Sequence, residues 1–206
     1  MTRIALTDAE RKRIADAVAA AEARTSVELR LVLAAASSQY GAFAVIYPAL
    51  ATLFAGGIAA AFTDLDAAWL FVGEAALFAA GVALLQWHRL RRALAPSHAK
   101  HKAAWRQARL QYAAIGLQNT VTRHALLLFC SVAERYVEIL VDETVARAIP
   151  DSVWQSVVDR FKTGLQAGRP AEAFVGAAKD CADILAKAFP AQPGETNDLP
   201  DALVEV

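Results

Sequence analysis

The run Ala125-Leu126-Leu127-Leu128-Phe129-Cys130-Ser131-Val132-Ala133-Glu134-Arg135-Tyr136-Val137-Glu138-Ile139-Leu140-Val141 holds two strand patterns joined by a short polar turn. Residues 125–130 are continuously apolar, which predicts a central strand buried on both faces. Residues 136–141 alternate instead, with Val137, Ile139 and Val141 on one side. The connection between them is short enough to make the two strands an antiparallel pair. Downstream, Pro150-Asp151 opens a helix that runs to about Ala167 and stops at Gly168, the residue type that most easily takes the left-handed helix-ending conformation. Pro170 begins another helix, with Phe174, Ala177, Cys181, Ile184, Leu185 and Phe189 along its apolar face. From Ala191 onward no core-forming pattern is visible, so 191–206 reads as a flexible tail.

Upstream, residues 99–119 read as a helix with Trp105, Ala108, Tyr112 and Ile115 on one face and Lys100, Lys102, Arg106 and Arg109 on the other. Near the chain start, Thr7-Asp8-Ala9-Glu10 is a capping box. Ile14, Val18 and Ala21 follow at helical spacing, so residues 8–24 form an amphipathic helix. Val27 to Leu33 then alternates as a strand. Strands and helices mix in one α/β unit split between residues 1–40 and 89–190.

What splits it is a long apolar insertion at 41–88. Between Leu31 and Thr63 there is no charged residue, and from there to His88 only Asp64, Asp66 and Glu74 occur. At ~1.5 Å per residue, runs at about 42–62 and 67–87 each cover a ~30 Å hydrocarbon layer as helices. Thr63-Asp64-Leu65-Asp66 supplies a tight polar turn, so the pair reads as a transmembrane hairpin. The small residues Ala51, Ala55 and Ala59 of the first run are expected to face Gly73, Ala76 and Ala80 of the second. Arg89, Arg91 and Arg92 follow the second run while the turn is acidic, and the positive-inside rule puts that basic flank in the cytoplasm. Both termini are then cytoplasmic in a multi-pass protein of the cell inner membrane. Trp69 near the turn and Trp87 at the other end fit interfacial positions, the latter beside Arg89, Arg91 and Arg92. Glu74 is an intramembrane acid, level with about Ala55. Its side chain either reaches the outer headgroup region or marks an ion or proton path.

Whole-chain composition excludes several classes. Lys+Arg and Asp+Glu are both 21 in 206 residues, so no overall positive charge supports nucleic-acid binding. Two cysteines cannot make a disulfide framework. No phosphate-binding glycine motif and no Cys-x-x-Cys or His-Glu-x-x-His spacing occurs. Cys130 and Cys181 fall on apolar patterns and read as core residues. The best acidic constellation is Glu134, Asp142 and Glu143, near opposite ends of the second strand, with Asp151 from the next helix start beside Asp142 and Glu143. Carboxylates of this kind could offer oxygens to a hard divalent cation, calcium or magnesium. Glu134-Arg135 reads as a structural turn, and His124 has no partner acid at fixed spacing.

The stretch from Leu127 through Ser131, Glu134, Arg135 and Tyr136 to Ile139 resembles the strand, Ser-x-x-Glu-Arg-Tyr, strand core of the TPM domain family, in its bacterial integral-membrane branch. Thr7-Asp8-Ala9-Glu10-Arg11, Ile149-Pro150-Asp151-Ser152-Val153-Trp154 and Asn197-Asp198-Leu199-Pro200-Asp201 resemble further family segments. The resemblance implies a TPM-like α/β/α sandwich interrupted by an inserted two-helix transmembrane hairpin. It also implies membrane-associated roles, with weak acid phosphatase activity and calcium binding among soluble members. Those members carry Gly-x-Gly-x-Glu after the last central strand, where this chain has Asp142-Glu143-Thr144-Val145.

The expectation is a non-enzymatic scaffold or regulator with no cofactor. Its partners are the lipid bilayer and an unidentified membrane protein, with no nucleic acid. The alternative is a membrane-anchored, divalent-cation-dependent phosphatase-like hydrolase using Asp142, Glu143 and Asp151.

Overall fold

The computed structural model describes residues 4–38, 40–114, 124–191 and 202–206. Two compact units appear: Met1–Ser37 with His101–Val206, and Ser38–Lys100 between them. The first is a mixed α/β unit built on a four-stranded sheet.

Its helix α1 (Asp8–Glu22) starts where the capping box places it, with Thr7 and Glu10 exchanging side-chain and backbone hydrogen bonds. Strand β1 (Val27–Ala34) follows, and its sheet partner β2 (His124–Ser131) arrives only after the inserted unit. The two run parallel in register from Val27 opposite His124 to Ala34 opposite Ser131. Strand β3 (Tyr136–Val141) returns antiparallel to β2, as the short connection predicts. Strand β4 (Val204–Glu205) pairs parallel with the outer edge of β1, giving the order β3-β2-β1-β4. The tail pattern gave no sign of β4, because two residues are too few to show a period.

Alternation along β1 and β2 sends side chains to two separate cores. Leu29, Leu31, Leu33, Leu126, Leu128 and Cys130 pack with α1 and with α6 (Glu143–Ala148), α7 (Asp151–Gln166) and α8 (Pro170–Ala188). Val32, Ala34, Leu127 and Phe129 face Ala104 and Ala108 of α5 (Ser97–Ala114). Those two alanines are completely buried, and their small side chains let the helix lie close to the sheet. The result is three layers, helix on sheet on helix. Leu126 to Phe129 are all 0% exposed, as a central strand covered on both faces requires.

The polar alternates of β1, Glu28 and Arg30, are buried on the face of Val32, which α5 covers. The helix expected over 99–119 runs from Ser97 to Ala114, and 115–119 lie outside the described residues. Gly168 ends the α7 region at φ +73°, where a side chain would be strained.

The second unit is a helical hairpin. Helix α2 (Phe43–Phe62) and helix α3 (Ala67–Leu85) pack along their length, followed by the short α4 (His88–Leu94). Asp66 caps α3 by accepting from the Ala68 N–H at 2.7 Å. The seam differs from the alanine stripe expected at Ala51, Ala55 and Ala59. Ala44, Pro48, Thr52 and Gly56 are the buried residues of α2. A Cβ added at Gly81 would lie 2.9 Å from the Pro48 Cβ, and one at Gly56 would overlap the Glu74 carboxyl group. Glycine, lacking even a methyl group, permits the closest approach, so the contact line runs through Gly56 and Gly81.

Candidate functional site

Strand β3 ends at Val141, and Asp142 then serves as the N-cap of α6. Its Oδ1 accepts the backbone N–H groups of Thr144 at 2.7 Å and Val145 at 2.9 Å. Its Oδ2 accepts the Ala125 N–H at 2.8 Å and lies 3.3 Å from His124 Nδ1. Asp142 thus joins the start of β2 to the end of β3. Glu143 pairs instead with Arg147 one turn along α6, and Asp151 is exposed in the first turn of α7. Among the described residues, no group of three or more His, Cys, Asp and Glu side chains is arranged to hold a metal ion.

The His124–Asp142 pair escaped sequence reasoning, which found no partner acid for His124. The two residues are 18 positions apart in sequence but lie at the same end of the antiparallel pair, and only its register brings them together. The His124 ring also lies 4.9 Å from that of Phe189.

At the other end of the sheet, β1 and β2 finish side by side. The Ser37 hydroxyl donates to Ser131 Oγ at 2.8 Å, and the Ser131 hydroxyl donates to Glu134 Oε2. That same Glu134 oxygen accepts the Ser37 N–H at 3.0 Å. The turn also uses Arg135 at φ +54°, a left-handed conformation for a non-glycine residue. Parallel strands often present ligand sites at this end. Here Ser131 is 1% exposed and its hydroxyl is committed to Glu134, so the cluster clamps the strand exits together.

A third group lies between α5 and β3. Arg109 stacks 3.9 Å over the Trp105 ring and donates to both Glu138 oxygens at 3.2 and 3.1 Å. Tyr136 donates its hydroxyl to Glu138 Oε2 at 2.7 Å, with the His101 ring edge-on at 4.7 Å. Burial raises the Tyr136 hydroxyl pKa, and the neighbouring Glu138 carboxylate raises it further. Tyr112 is raised too, by burial and then by the charge of Asp142. Burial pushes the thiols of Cys130 and Cys181 up to about 12, so both stay protonated and unreactive near neutrality.

In the hairpin unit, Trp69 and Trp87 are each 71% exposed. Arg91 and Arg92 lie half-buried in α4, and the Arg89 side chain is outside the described residues. Glu74 turns its carboxyl group across the seam onto Gly56, within one residue of the level counted from the turn.

Comparison with known proteins adds the following. Residues 95–184 match the family model of the TPM domain, a span that takes in α5, β2, β3, α6, α7 and most of α8. No curated protein sequence matches the chain. Among solved structures, the chain is similar to the NMR structure of BA42 protein from the psychrophilic bacterium Bizionia argentinensis, with a TM-score of 0.61 at 17% identity over 100% of both chains. The family resemblances at Thr7–Arg11 and Asn197–Asp201 fall outside the matched span, and the second also lies outside the described residues. Residues 95–184 are therefore similar to the TPM domain in sequence, and the chain is similar to BA42 in fold.

Proposed function

We propose that the chain is a multi-pass protein of a bacterial inner membrane, held by the α2–α3 hairpin. Its TPM-like α/β unit lies in the cytoplasm and acts as a non-enzymatic scaffold or regulator of a membrane partner. The observation that carries this reading is the surface of the two helices. Their most apolar windows are only 22% and 6% buried. Leu53 and Phe54 are 73% exposed and Phe62 is 83% exposed. At ~25 cal/mol per Å² of apolar surface, such faces are costly in water and favourable in hydrocarbon. Arg89, Arg91 and Arg92 after α3, against Asp64 and Asp66 in the turn, support the orientation. The non-enzymatic reading is supported by the use of the candidate groups. Asp142 caps a helix, Ser131 and Glu134 clamp two strands, and both cysteines are buried thiols.

The test is alkaline extraction of membranes together with labelling of single introduced cysteines, Asp64→Cys and Ala202→Cys. The native Cys130 and Cys181 are buried and give low background. Retention in the membrane, with position 64 labelled from outside and position 202 only after lysis, is expected. Release into the soluble fraction, or the reversed labelling pattern, would sink the reading.

A further inference from the structure

The outer edge of β1 is finished in two different ways. Near its start the edge is closed by side chains: Glu22 Oε1 accepts the Leu29 N–H at 2.8 Å, and Thr25 Oγ1 accepts the Val27 N–H at 3.3 Å. Side-chain closure of this kind blocks the addition of another strand. The last part of the same edge carries no such plug. It is filled by main chain: Val206 N–H donates to the Leu33 carbonyl at 3.0 Å, and Ala35 N–H donates to the Val206 carbonyl at 2.8 Å. Between them Val204 and Glu205 pair with Val32 and Leu33.

The side chains of this segment are sorted as a bound peptide's would be. Leu203 packs against the core formed with α1, α7 and α8, and Val204 against the core on the α5 side. Glu205 points to Arg11 of α1, with the Arg11 Nε 2.7 Å from its Oε1. Arg11 is held in place by Asp8 at 2.9 Å. Alternate side chains in pockets, main-chain pairing along the edge and one ion pair make up the recognition scheme of strand addition.

We propose that the β1 edge from Leu31 to Ala35, with Arg11, is a peptide-binding groove. Its ligand is an extended segment of a partner protein, added parallel to β1, with the pattern apolar-apolar-acidic. The chain's own Leu203-Val204-Glu205-Val206 is the resident, exchangeable occupant. The charge complement fixes the ligand class: Arg11 selects an acid one residue after the apolar residue that enters the α5-side core. Main-chain pairing sets the direction, and the plug at Leu29 limits the length. The inference rests on the scaffold reading only for its physiological use, since the groove is tested without reference to the membrane.

The experiment uses the full chain in detergent with residues 202–206 deleted. The probe is a fluorescein-labelled, amidated Ala-Leu-Val-Glu-Val peptide read by anisotropy. The deleted chain is expected to bind it saturably. The intact chain should bind at least tenfold more weakly, because its tethered segment competes at an effective concentration of order mM. Arg11→Glu in the deleted chain should weaken binding at least fivefold, and a peptide with arginine in place of the glutamate should restore it. Should the deletion impair folding, the full-length variant Val204→Asp with Glu205→Arg displaces the segment while keeping the chain length, and receives the same titration. Absence of saturable binding by a folded deletion or displacement variant would overturn the proposal. So would loss of fold in both, which would make the segment a fixed part of the core. An intact-chain dimer that dissociates when 202–206 are removed would overturn it too, since a second copy would then own the groove.

Discussion

Helices α3 and α8 have the same length, 19 residues, and opposite fates. Helix α8 sends Phe174, Ala177, Ala178, Cys181, Ala182 and Leu185 into the core and leaves Lys179, Asp180 and Asp183 off it. Helix α3 is the more apolar of the two, yet Leu85 is its only buried residue. Burial therefore follows the arrangement of apolar residues rather than their amount. A helix with one apolar stripe is matched to a protein core, and one that is apolar all round is matched to a surrounding that is itself apolar.

The sharpest way to break this contrast is to truncate one aromatic ring in each helix. Phe174 is fully buried, with its ring 4.9 Å from that of Phe161. Phe174→Ala should cost ~3–5 kcal/mol, read as a lowered urea midpoint of the α/β unit. Phe71 is 72% exposed, and Phe71→Ala should cost no more than ~0.5 kcal/mol in detergent. Equal losses would mean that α3 has a protein partner over that face. Within the hairpin, Gly81→Leu forces a branched side chain onto Pro48 and should cost ~1–3 kcal/mol of hairpin packing. Faster protease cleavage in the turn at Asp64 would report it, with the α/β unit unchanged.

The third prediction is a pH response confined to one unit. Cys130 and Cys181 both lie in the α/β unit, with thiols pushed up to about 12 by burial. Unfolded, they lose their protons near the ordinary value of 9.0. Above that pH the unfolded chain binds fewer protons than the folded one, so stability falls as pH rises from about 9 to about 12. Each thiol contributes a slope of at most ~1.4 kcal/mol per pH unit. Cys130→Ala combined with Cys181→Ala should flatten the alkaline decline of the α/β transition and leave the hairpin untouched. The smallest effect concerns Asp142. Asp142→Ala should cost ~1 kcal/mol as a lost helix cap. Asp142→Asn should cost less, since an amide oxygen also accepts from Thr144 and Val145. Thermal unfolding with and without millimolar calcium checks both: a cation site would show a calcium-dependent midpoint that the asparagine variant abolishes.

What could be read from the chain was whatever a local pattern encodes. The capping box at Thr7, the apolar run of β2, the alternation of β3 and the proline and glycine borders of α7 and α8 each depend on neighbours within a turn or two. The unread features depend on distance or brevity. Helix α6 is six residues long, too short for a period, so its cap Asp142 stood out only as an acid beside Glu143. The Ser37–Ser131–Glu134 clamp joins residues 94 and 97 positions apart. The hairpin seam was expected one helical position away, because neighbouring stripes of small residues look alike until the closest contact is known. The alternation from Val27 to Leu33 gave β1 but not the burial of Glu28 and Arg30, since period two says nothing about how many faces are covered.

The parallel ladder of β1 and β2 has a consequence for the order in which the chain is made. Val27 must wait for His124, about a hundred residues later, before the first rung can close. At ~5–20 residues per second, that is a delay of roughly 5–20 s, during which the whole hairpin emerges from the ribosome. Strand β1 spends that interval unpaired, and no α/β sheet exists until the hairpin has been made. Completion of the sheet is thus a timer that runs out only after the insertion has left the exit tunnel.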